Sequence, residues 1–155
     1  MIEQMNDLID INSVVIELTS KCYIGCDYCI NDSLAPNETI LDFNVVKNLI
    51  DDMNKINVKS IFLSGGEALL YPYILETIDY CRKNNMDITL ISTVGSLLTN
   101  DVVDSILGNN VSIISTIDGT RETHNSRRIT KNYDSILSSI ETLYKKGFSQ
   151  KYYIR

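Results

Sequence analysis

The stretch Val14–Cys29, VVIELTSKCYIGCDYC, brings the fold and the chemistry of this chain together. It opens with a nearly continuous, β-branched apolar run, Val14–Leu18, of the kind that suits a parallel strand buried on both faces. It ends in three cysteines, Cys22, Cys26 and Cys29, on the segment that leaves that strand. In α/β architectures, the loops leaving strand C-termini are where active sites collect. The fourth cysteine, Cys81, stands alone far downstream. A secreted disulfide scaffold would spread more cysteines along the chain, whereas three clustered thiols in an intracellular protein point to a metal.

Outward from this stretch, apolar runs and amphipathic stretches alternate. Ile61–Ser64 (IFLS), Ile88–Ser92 (ITLIS) and Val111–Ser115 (VSIIS) read as further strands, and Lys151–Arg155 (KYYIR) as the beginning of a fifth. Between them the period becomes helical. Asp42 is a plausible N-cap for a stripe of Phe43, Val46, Leu49, Ile50 and Met53. A second helix begins near Pro72, with Ile74, Leu75, Ile78 and Cys81 on its inner face. The third starts at Thr99 and buries Val102, Val103, Ile106 and Leu107. In the fourth, Tyr133, Ile136, Leu137, Ile140, Leu143 and Tyr144 turn inward, and Gly147 falls where a C-terminal cap glycine belongs. Alternating strands and helices imply right-handed βαβ units and a parallel sheet, open or curved towards a barrel. A closed eight-stranded barrel takes about 250 residues. The 155 residues here supply part of one, in a single domain.

Composition narrows the function. Hydrophobic residues make up 44% and charged residues 22%, ordinary globular values that exclude disorder and collagen-like structure. The 14 basic against 20 acidic side chains give a net charge of −6, which argues against a general nucleic-acid binder. No apolar run approaches the roughly 20 residues of a membrane span, and the first ten residues are polar and acidic. The expected location is cytoplasmic.

Three thiolates on one short loop can hold three irons of a [4Fe–4S] cube and leave the fourth iron open. The alternative is a structural zinc site in which Cys81 or His124 completes a tetrahedron, although zinc sites more often pair two C-x2-C units. Ser64-Gly65-Gly66-Glu67 follows the second strand directly; taken alone it is a tight strand-to-helix turn. Ser92-Thr93-Val94-Gly95 follows the third strand, and Thr116–Arg128 (TIDGTRETHNSRR) follows the fourth. Cys81 falls in register with Ile74 and Ile78, as a core thiol would, and His124, the single histidine, reads as a surface or loop-bracing residue.

The C-x3-C-x2-C spacing, with Tyr28 before the last cysteine, resembles the signature of the radical S-adenosylmethionine (radical SAM) superfamily. The Gly-Gly-Glu turn after the second strand is similar to that family's GGE(P) motif, and the Thr93–Gly95 turn to its T-N-G. TIDGTRETHNSRR is similar to the S-x-D-G…H-D-x-x-R segment of the peptide- and protein-modifying branch, which includes sulfatase-maturing enzymes and ribosomal-peptide maturases. Two positions depart from the pattern: Ala68 stands for Pro, and Val94 for Asn.

The resemblance implies a partial (β/α) barrel of four to five units that binds a [4Fe–4S] cluster through Cys22, Cys26 and Cys29. It implies that Gly65, Gly66 and Glu67 meet the amino group of SAM, Arg128 its carboxylate, and Thr116 and Asp118 its ribose and adenosine side. The backbone at Tyr28 would contact the adenine. The implied activity is reductive cleavage of SAM to a 5′-deoxyadenosyl radical that abstracts hydrogen from a peptide or protein. An electron donor such as flavodoxin or ferredoxin is expected, and neither nucleic acid nor membrane. Cores of this family generally have six units, so residues 1–155 are expected to be one incomplete core domain: a fragment, a natural truncation or half of a split enzyme. In the last case a partner chain or a further C-terminal region would complete it, and the chain alone could be a non-catalytic SAM- and cluster-binding module.

Overall fold

The structure is a computed structural model that describes residues 11–29, 38–92 and 95–155. Five strands, β1 (Ser13–Glu17), β2 (Ser60–Ser64), β3 (Asp87–Ile91), β4 (Ser112–Ser115) and β5 (Tyr152–Ile154), form one parallel sheet in the order 1-2-3-4-5. The helices between them are α1 (Phe43–Lys55), α2 (Ile74–Lys83), α3 (Asn100–Gly108), α4 (Arg121–Ser126) and α5 (Tyr133–Lys145). A sheet whose strands follow in chain order through crossovers of one hand carries its helices on one face, as in a (β/α) barrel.

Burial along the strands shows that face. Ile16, Ile61, Leu63, Ile88, Leu90 and Ile113 are buried and join one hydrophobic cluster with Val46, Ile50, Met53, Ile78, Val103 and Ile106 of the helices. The alternate positions stay open, with Val15 59% exposed. This corrects the expectation of strands buried on both faces. Val15, Ile91 and Ile114 line a cavity on the opposite side of the sheet.

Helix starts match the sequence signals. The Asp42 carboxylate accepts the Asn44 and Val45 N–H groups, and the Thr99 hydroxyl accepts that of Val102. Beyond α5, Gly147 adopts a φ of +93° and the Phe148 N–H returns to Leu143, a C-terminal cap. The inner stripes are narrower than expected. Leu49, at the rim of the Val46–Ile50–Met53 face, is 41% exposed. In α5 the buried residues are Ile136, Ser139 and Leu143, whereas Leu137 and Tyr144 face outward. Ser139 is tolerated on the inner face because its hydroxyl has carbonyl acceptors there, Ser135 of its own helix at 2.8 Å and Gly95 at 3.1 Å. The short helix α4 was not anticipated. Among the described residues no helix is long and apolar enough to cross a membrane.

Leu63 is fully buried in β2, between Ile16 of β1 and Leu90 of β3. Leu63→Ala is expected to cost about 2–5 kcal/mol in urea unfolding; a loss below about 1 kcal/mol would show that the sheet–helix core is loosely packed.

Candidate functional site

The strand C-termini surround a cavity of about 630 Å³. Cys22, Cys26 and Cys29 line it from the loop after β1, Gly65, Gly66 and Glu67 from the turn after β2, Thr116 from the end of β4 and Arg128 from beyond α4. Tyr28 lies on its rim beside Cys29. Of the residues expected at the site, Asp118 alone does not line the cavity; it stands behind Arg128. Thr93 and Val94, the core of the expected T-N-G turn, lie outside the described residues.

Contact between two backbones assembles this end of the sheet. The Gly66 N–H donates to the Thr19 carbonyl at 2.7 Å, and the Glu67 N–H to that of Lys21 at 2.8 Å. No side chain fits between them: a Cβ at Gly65 would overlap the Thr19 carbonyl oxygen, and one at Gly66 those of Ser20 and Lys21. Gly65 also holds a φ of +144°, which L side chains rarely adopt. The motif's glycines therefore fasten the turn after β2 to the root of the cysteine loop. The Glu67 carboxylate is buried, accepting the Leu69 N–H at 3.1 Å and the Ser92 hydroxyl. The Ser92 carbonyl in turn accepts the hydroxyl of Ser115, which bonds Tyr152 Oη at 2.8 Å. This ladder crosses from β2 to β5 beneath the cavity, and sequence reasoning missed it because single serines at strand ends carry no motif.

On the other side, the segment after α4 pairs with the cysteine loop. The Asp27 N–H donates to the Arg127 carbonyl at 3.0 Å and the Ile129 N–H to that of Gly25 at 3.0 Å. The buried Arg128 guanidinium donates through Nε to Asp118 at 2.9 Å and through Nη2 to Tyr28 Oη at 2.6 Å. Tyr28 Oη donates to the other Asp118 oxygen at 2.8 Å. Burial alone would raise the Asp118 pKa, but the hydrogen bonds from Tyr28 and Arg128 and the guanidinium charge outweigh it and hold the carboxyl below the usual Asp range.

Burial pushes the Cys22 and Cys26 thiols up. At Cys22 a hydrogen bond from the Ile24 N–H opposes this, while Glu67 and the other two cysteines add to it. At Cys26 the Arg128 charge works against the rise. Cys81 is fully buried in the helix–sheet core, and its thiol is pushed up to about 12 by that burial. His124 is fully buried rather than at the surface, its Nδ1 within 3.2 Å of the Asp118 N–H and its Nε2 within 3.0 Å of Asn132 Oδ1. Both candidates for a fourth zinc ligand are thus committed elsewhere, and among the described residues no three Cys, His, Asp or Glu side chains converge as ligands of a single ion.

A three-cysteine loop, a glycine turn fastened to it and a cavity thus lie together at the strand C-termini of a parallel α/β sheet. The profile of the radical SAM superfamily matches residues 16–154, and the chain belongs to that superfamily. It is 26% identical over 135 residues to mycofactocin maturase MftC of Mycobacterium tuberculosis, covering 86% of this chain and 34% of that protein. It is 33% identical over 138 residues to the AdoMet-dependent heme synthase of Methanosarcina barkeri, covering 85% and 39%. Among solved structures, anSMEcpe with bound AdoMet superposes with a TM-score of 0.74 at 22% identity, over 92% of this chain and 42% of that one. Streptococcus suis SuiB does so with a TM-score of 0.82 at 12% identity, over 97% and 35%. These likenesses show the fold. The chain spans between a third and two-fifths of the length of the two curated relatives.

Gly66→Ala is expected to break the contact between the two loops and cost about 1–3 kcal/mol, as overpacking does. An unchanged thermal midpoint with full amide protection at Glu67 would contradict it. A second expectation concerns pH. A carboxylate held low in the fold contributes stability above its unfolded pKa and loses it as pH falls through the lowered folded value. Asp118→Asn should therefore be less stable than the parent at neutral pH, the difference shrinking as pH drops below about 4. A difference that stays constant across urea titrations over that range would count against the pairing.

Proposed function

We propose that this chain forms a single core domain that holds a [4Fe–4S] cluster through Cys22, Cys26 and Cys29 and binds SAM beside it. The observation that carries this reading is the fastening of the Gly65–Glu67 turn to the base of the cysteine loop, so that thiols and turn face one cavity. When bound, the reduced cluster and SAM supply one-electron cleavage of the SAM sulfonium and hydrogen-atom abstraction from a substrate.

The chain's own residues hold, orient and enclose. The three thiols would become thiolates on ligation and release their protons, a demand made heavier at Cys22 and Cys26 by partial burial and by the neighbouring cysteines. With the Glu67 carboxylate turned inward, the turn offers the cavity its backbone, suited to hydrogen-bonding an amino group. Arg128 lines the cavity with a guanidinium matched to a carboxylate. Thr116 offers a hydroxyl at the end of β4 for the ribose side. Val15, Ile24, Ile91 and Ile114 give the cavity apolar walls that limit water around a reactive intermediate. A peptide or protein substrate is supported by the Thr116–Arg128 segment and by the maturase among the relatives. Reduction by a flavodoxin- or ferredoxin-type donor completes the proposal.

Anaerobic reconstitution with iron and sulfide should give about four of each per chain, and Cys→Ala at position 22, 26 or 29 should abolish it. With SAM and dithionite, the loaded protein should form 5′-deoxyadenosine. A cluster without 5′-deoxyadenosine would support a binding module instead of an enzyme. Stoichiometric zinc without acid-labile sulfide would overturn the cluster reading.

A further inference from the structure

A chain of polar groups, buried at Asn132, His124 and Arg128 and ending on the exposed Tyr28, runs from the start of α5 to the cysteine loop. It begins at Asn132, the residue before α5, whose Oδ1 lies 3.0 Å from His124 Nε2. His124 Nδ1 accepts the Asp118 backbone N–H at 3.2 Å. An accepting Nδ1 on a neutral ring leaves the proton on Nε2, which then donates to Asn132. The same Asp118 accepts Tyr28 Oη at 2.8 Å and Arg128 Nε at 2.9 Å, one on each carboxylate oxygen. Arg128 closes the circuit by donating to Tyr28 Oη at 2.6 Å. Outside this circuit, the Arg127 guanidinium stacks 4.2 Å from the Tyr28 ring centroid and donates to Asp27 at 3.2 Å. The Thr130 N–H adds a backbone bond to Ile24 at 3.3 Å.

We propose that His124 and Asp118 are positioning residues: they form a clasp that keeps the cysteine loop ordered before any cluster is loaded. Three observations favour this over a direct cofactor contact. Asp118 does not line the cavity, both of its oxygens are spent on Tyr28 and Arg128, and His124 is fully buried with both nitrogens committed. A loop that must present three thiols loses conformational freedom when it is loaded. Ordering it beforehand moves that cost into folding and strengthens binding. The clasp is made of side chains from α4 and its flanks, so loop order depends on residues about 90 positions away in sequence, as the separation of Tyr28 from Asp118 shows. The inference rests on the three cysteines being cluster ligands, and its test is read without iron.

Hydrogen exchange on the cluster-free chain reads the clasp at the Asp27, Ile129 and Thr130 amides. Tyr28→Phe, which removes one hydroxyl from a residue 39% exposed, is expected to speed exchange there about tenfold. His124→Ala should do the same, while amides of β2 and β3 keep their protection. His124→Asn places a carbonyl where Nδ1 stood, so it should restore most of the protection that His124→Ala loses. Unchanged exchange in Tyr28→Phe would overturn the clasp, whatever happens to the buried His124 variants. Equal loss in His124→Ala and His124→Asn, spread to β2 and β3, would reduce His124 to a core-packing residue and overturn its part. Failed iron binding with an intact exchange pattern would refute the ligand reading instead, leaving the clasp as a brace of the loop.

Discussion

The site depends on a contact in which two backbones meet with no side chain between them. Gly65 and Gly66 lie against the carbonyls of Thr19, Ser20 and Lys21, closer than any Cβ would allow, and two hydrogen bonds of 2.7 and 2.8 Å seal the junction. Backbone hydrogen bonds between loops are fixed in length and direction, unlike contacts between long side chains. The first residues of the cysteine loop therefore inherit the rigidity of β1 and β2, which run in register from Ser13–Ser60 to Glu17–Ser64. The Glu67 carboxylate extends the same junction sideways through Ser92 and Ser115 to Tyr152, so that four strand ends share one polar ladder. A buried network of this kind stabilises only when every member is paired, which makes its register unforgiving.

The far half of the cysteine loop has no such backbone weld to the sheet. It is held by Arg127, Arg128 and Ile129 through two main-chain bonds and by the Tyr28–Asp118–Arg128 circuit. The two halves also differ in charge, although burial raises both thiols. Cys22 faces the buried Glu67, which disfavours a thiolate, whereas Cys26 faces Arg128, which favours one. Arg128 thus serves two neighbours, a carboxylate behind it and a thiol before it. Its buried guanidinium is tolerable because Asp118 neutralises it.

The alternation of strands and helices was legible because β-branched runs and helical stripes differ in period, and the caps at Asp42, Thr99 and Gly147 sit where local chemistry requires them. Three features were not legible, each for a physical reason. The second face of the sheet is lined by Val15, Ile91 and Ile114, and an apolar residue facing a cavity looks the same in sequence as one facing a helix. The inner stripe of α5 includes Ser139, a buried serine whose hydroxyl is satisfied by the Ser135 and Gly95 carbonyls, so a purely hydrophobic pattern rotates the helix towards Leu137 and Tyr144. His124 gave no sign of burial, since its partners are a backbone amide and an asparagine on the far side of a six-residue helix.

The motif residues themselves divide in a way that spacing cannot express. Cys22, Cys26, Cys29, Thr116 and Arg128 line the cavity. Gly65 and Gly66 are needed for what they lack, and Glu67 and Asp118 spend their carboxylates on the protein. A motif read as a set of ligand contacts is therefore partly a set of joints. The joints give the glycine turn and the Asp118–Arg128 segment a common role: each fastens a different half of the loop that carries the three cysteines. Rigid strand ends carry the near half, and a helix-borne clasp carries the far half. The cavity between them is the only place where both constraints meet among the described residues.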